Sequence, residues 1–103
     1  MNKKEAGSIL AEHLHRYGNR SYAELAAWVR ERRIDTAEVV GQSGKEYQIE
    51  VVFFWDGKPD GDVRVIGSID DGRGIRAFVP LTDSFSLSPE GVIREQVSDY
   101  GHG

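Results

Sequence analysis

Several residues in this sequence have the types and the spacing to do chemistry. Asp56, Asp60 and Asp62 in "DGKPDGD" could offer carboxylate oxygens to a divalent cation. An EF-hand loop, however, needs oxygen ligands at every second position and a closing glutamate, and this stretch has neither. Asp and Gly are also what tight turns require, so the loop is expected to be a hairpin turn. Asp70, Asp71 and Asp83 form a second acidic group at predicted strand ends. Paired carboxylates serve as acid and base when their surroundings separate their pKa values. Exposed turns supply little of the burial this needs.

His13 and His15 are two apart on a predicted helix, so they point about 200° from one another and cannot share a metal. Ser84, Ser86 and Ser88 alternate as the solvent-facing residues of a strand would. No G-x-S-x-G elbow surrounds them. The glycines of "GQSG" and "DDGRG" lack the Walker spacing and a following helix, so they are expected to form turns and not a phosphate loop. Arg73 and Arg76 could contact an anion. The absence of cysteine removes thiolate nucleophiles, thiolate metal sites and disulfides, and fits a reducing, cytoplasmic setting. No cofactor and no metal are expected, and the sequence leans away from an enzyme.

The chain has 103 residues, enough for one domain with one core. A helical part, 1–33, is followed by a strand-rich part, 34–97, and a frayed tail, 98–103. The net charge of -4 is unevenly spread: residues 1–33 carry seven Lys/Arg and four Glu, the remainder six and thirteen acids. An acidic majority argues against nucleic-acid binding, which needs clustered positive charge. The N-terminal stretch has no apolar h-region, so no signal peptide is expected, and no run is long enough for a membrane span.

The elements follow from periodicity. Ala6, Leu10, Leu14 and Tyr17 mark a helix over 3–17, with Gly18 beyond its end. In "SYAELAAWVRERR", Ser21 and Glu24 have capping-box spacing, and Tyr22, Leu25, Ala26 and Val29 form an apolar stripe. Arg30, Arg32 and Arg33 suit the last turn of that helix. Trp28 and Trp55 are expected to be largely buried and close together. Residues 35–41 fit either a short helix or a strand over Thr36–Val40, and the Val39–Val40 pair before a Gly-Ser turn favours the strand. "KEYQIEVVFFWD" and "DVRVIGSID" are strands, joined by the turn "GKPDG". "IRAFVPL", with Pro80 at its end, and "SFSLS" are two further strand candidates.

The expected fold is α+β: one or two N-terminal helices, then a four- to five-stranded antiparallel meander, with a helix packed on one face. Tyr47, Ile49, Val51, Phe53 and Trp55 would face the helices. Val52 and Phe54 would lie on the other face, joined by Ile66 and Phe78 from neighbouring strands. Such a patch marks a docking surface for a protein partner or for a second copy in a homodimer, unless the first helix or the segment around Val92, Ile93 and Val97 covers it.

"SYAELAAWV" resembles the opening helix of bacterial helix-turn-helix domains. A winged-helix DNA-binding protein is the alternative this resemblance implies, with Asp35–Val40 as recognition helix and 46–69 as wing. The recognition segment would carry Asp35 and Glu38 and no Lys or Arg, which is ill suited to phosphates and guanines. A small enzyme built on Asp70, Asp71 and Asp83 is a second alternative.

Overall fold

The computed structural model describes residues 2–71 and 81–98, with side chains to residue 94 in the second stretch. Helix α1 spans Lys3–His15. The Asn2 side chain caps its start by accepting from the Glu5 amide at 3.1 Å. Ala6, Leu10 and Leu14 form its buried stripe. A 3-10 turn over Arg16–Asn19 leads to helix α2, Tyr22–Glu31. The capping box at its start is complete: Ser21 Oγ accepts from the Glu24 amide at 3.1 Å, and the Ser21 amide donates to Glu24 Oε1 at 3.3 Å. Only Arg30 falls in the last turn; Arg32 ends the helix in the left-handed conformation, at φ 56°, and Arg33 lies beyond.

Five strands follow: β1 Ile34–Val40, β2 Glu46–Trp55, β3 Val63–Asp70, β4 Leu81–Leu87 and β5 Ile93–Ser98. They form one antiparallel sheet in the order β1-β2-β3-β4-β5. Short connections join β1 to β2, β2 to β3 and β4 to β5, which makes antiparallel neighbours of these consecutive strands the simplest closure. Residues 35–41 therefore belong mainly to a strand, and β1 begins earlier than its β-branched pair suggests, at Ile34. The "IRAFVPL" candidate lies outside the described residues except for Leu81, which opens β4. The helices cover a single face of the sheet: α1 crosses β3 and β4, and α2 crosses β2 and β3. Tyr47, Ile49, Val51 and Phe53 of β2, with Val63, Val65 and Ile69 of β3, meet Leu10, Leu14 and Leu25 in the core. Gly67 permits the close crossing of α1. A Cβ there would stand 2.9 Å from Leu14 Cδ2 and 3.0 Å from Leu10 Cδ1.

Two further expectations are corrected, and one alternative that the sequence leaves open is answered for the described residues. Ser84, Ser86 and Ser88 are buried, not solvent-facing. The first two are short side chains set between longer neighbours. Arg64 Nη1 donates to Ser84 Oγ at 3.0 Å, and Ser86 lies in register between Arg64 and Arg94. Ser88 follows β4 at the start of a turn, where its Oγ accepts from the Val92 amide at 3.1 Å. The two tryptophans are half-buried. Trp28 stands edge-on to Phe53 at 5.3 Å, and Trp55 is shielded by the Arg30 guanidinium 5.5 Å above it. Both sit at the rim of the helix layer, where arginines complete the cover. Finally, the described part of the C-terminal segment does not lie across the outer face; it extends the sheet sideways as β5.

Candidate docking face

Register settles which residues share the outer face. Ile34 pairs with Val52, and Val52 with Ile66, so three apolar side chains form a row across β1, β2 and β3. Phe54, two residues further along β2, stands beside that row with Arg64 as its cross-strand neighbour. Ile34 and Phe54 are 59 % and 53 % exposed; Val52 and Ile66 are half-buried by their neighbours. Val52, Phe54 and Ile66 are thus brought together as their alternation implies. Phe78, Arg73 and Arg76 lie outside the described residues. Ile34 is a member that the sequence reading missed. Its signal is the outward alternation Ile34, Thr36, Glu38, Val40, visible once β1 is started two residues earlier.

The face changes character along its strands. On one side of the apolar row lie Glu50, then Gln48, Glu38 and Asp70. On the other side the sheet edge opens into a groove of about 580 Å³ between the end of α2 and the β1–β2 corner. Ile34, Val52, Phe54 and Trp55 give it an apolar floor; Arg30, Arg32 and Arg33 rim it. The rim is partly fixed. Arg33 Nε donates to Asp35 Oδ1 at 2.6 Å while its guanidinium stacks 4.2 Å over the Trp28 ring. Asp35 also accepts from the Tyr17 hydroxyl at 2.7 Å. Burial pushes the Asp35 carboxyl up, but the bonds from Arg33 and Tyr17 outweigh it and hold the pKa below its ordinary value. Tyr17 is pushed far up by burial and by that same carboxylate. Arg30 donates to Asp60 at 3.0 Å. Arg32 makes no ion pair among the described residues.

The other constellations do not assemble. Asp56, Asp60 and Asp62 each face a different guanidinium, of Arg64, Arg30 and Arg94, so their charges are spent pairwise across loops and strands. Asp70 and Asp83 lie on opposite faces of the sheet. Asp70 is opposite Gln48 on the outer face, while Asp83 is opposite Gly67 on the helix side and is buried within β4, not exposed in a turn. No group of three His, Asp or Glu among the described residues is placed to hold a metal ion. His13 is tilted against Tyr17 at 6.0 Å, and burial followed by the Arg16 charge lowers its pKa. The segment that the helix-turn-helix resemblance would make a recognition helix is strand β1. No described helix is long and apolar enough to cross a membrane. Compared with known protein families, curated proteins and solved structures, the chain finds no match.

Proposed function

We propose that this chain is a non-enzymatic docking domain that engages another protein through the outer sheet face, around Val52, Phe54 and Ile66 and extended by Ile34. The observation that carries it is the exposure of Phe54 and Ile34 beside a continuous apolar row. Burying exposed apolar area yields about 25 cal/mol per Å², so such a patch is where association gains most. The helices satisfy the opposite face and leave this one to a partner. A photo-crosslinking side chain at position 54, with exposed Glu12 on α1 as the control position, tests it. Adducts of defined mass at 54, absent at 12 and lost with Ile34→Glu, are expected. A Phe54→Glu variant should keep the parent circular dichroism. An unfolded Phe54→Glu, or equal adducts at both positions, would overturn the proposal.

A further inference from the structure

We infer that the occupant of this face is an extended, acidic segment of a partner protein, seated in the groove at the β1–β2 corner with an apolar side chain against Phe54 and Ile34 and a carboxylate on Arg32. This rests on the docking face proposed above and adds the chemistry of what it holds.

Three features of the groove select that occupant. The first is backbone. β1 begins opposite Val52, so Phe53, Phe54 and Trp55 run past it. Along those residues, the flank that β1 occupies elsewhere has no paired strand among the described residues. An extended segment entering there continues the line of β1 and meets main-chain groups as well as side chains, which a helix would not do. The second is the apolar floor, whose two most exposed members are Ile34 and Phe54. The third is charge. Arg33 and Arg30 are already oriented by carboxylates and by the indoles they cover, so little ordering entropy remains to be lost there. Arg32 is exposed and has no ion-pair partner among the described residues, so its guanidinium faces outward toward a carboxylate of the occupant.

The remainder of the face fixes the position. Glu50 and Glu38 repel an acidic segment from the other side of the apolar row and confine it to the arginine end. A basic segment or a second copy seated on its own acidic side would be drawn the other way. A nucleic acid would meet that acidic half of the sheet across much of its length.

A random library of short displayed peptides, panned on the intact chain, tests the inference, with binding of the enriched peptides measured by fluorescence polarisation. The expected result is enrichment of an aromatic or branched residue flanked by Asp or Glu. Affinity should fall about tenfold or more with Arg32→Glu, and stay within about threefold with Arg32→Lys. It should also weaken as salt rises from about 50 to about 500 mM. Enriched sequences with neutral or basic flanks, binding indifferent to Arg32→Glu, or preference for an oligothymidine over the peptides would overturn it. So would a doubled solution mass that Phe54→Glu abolishes. If any of these occurs while adducts at position 54 persist, the face stands and the acidic occupant does not. If Phe54→Glu unfolds, both fall.

Discussion

Phe53 and Phe54 are consecutive residues of β2, yet the first is 4 % exposed and the second 53 %. Phe53 meets Trp28 and Tyr17 in an aromatic cluster under the helices. Phe54 stands on the other side of the pleat, beside an arginine-rimmed groove. The same side chain on the same strand therefore has two thermodynamic roles. On the inner side it contributes to folding, since its transfer from water happens when the chain collapses. On the outer side the same transfer is deferred until something else arrives. A strand of apolar residues on both faces thus separates intramolecular from intermolecular stabilisation by a period of two.

Substitution at these two neighbours is the strongest way to break that contrast. Phe53→Ala should cost about 3–5 kcal/mol in urea unfolding, as aromatic core truncations do. Phe54→Ala should stay within about 0.5 kcal/mol in the same measurement; comparable losses would erase the distinction. Next in size is Gly67→Ala, which places a methyl under α1. The Leu10 and Leu14 termini must give way, at about 1–3 kcal/mol. An unchanged melting curve would mean that α1 does not press on β3 as described. Ser21→Ala removes one half of the capping box of α2 and should cost about 1 kcal/mol, whereas a change at exposed Thr36 on the outer face should cost less. The smallest effect concerns Glu5. It accepts from the Tyr47 hydroxyl at 2.6 Å, from Ser43 Oγ at 2.7 Å and from the Ser43 amide at 3.0 Å. These bonds hold its pKa below the ordinary 4.5, and burial pushes the Tyr47 hydroxyl up to about 12, with the Glu5 carboxylate adding to the rise. The stability Glu5 supplies is complete above pH 4.5 and is lost as pH falls through its depressed value. Glu5→Gln should therefore flatten the acid limb of a stability–pH curve and leave outer-face binding unaltered.

The inner face was legible in the sequence because burial imposes a strict period. Ile49, Val51 and Phe53 declare one side of β2, and Leu10 with Leu14 one side of α1. The capping box was legible because its two residues act locally. The serines of β4 were misread for the opposite reason. A short polar side chain is buried or exposed according to how long its cross-strand neighbours are, and Arg64 and Arg94 become neighbours only through pairing. Asp83 was misread likewise, since its place on the helix side depends on β4 running unbroken from Leu81. The outer patch was only half legible. Val52, Phe54 and Ile66 emerge from alternation, but Ile34 joins them through the β1–β2 register. The arginine rim depends on where α2 ends in space.

The topology has a further consequence for biosynthesis. Every strand of the meander pairs with its neighbour in sequence, so the sheet can zip progressively as the chain lengthens. Helix α1 departs from that order: it leaves the ribosome before every strand of the sheet, but the surface it packs on includes β4, which emerges more than half of these 103 residues later. Until then Leu10 and Leu14 have only the part of their seat that β3 supplies over Gly67, and the nascent molecule carries an apolar helix that is half covered. A chain halted before Leu87 would therefore be the species most prone to chaperone capture or aggregation, although its sheet had already begun to form.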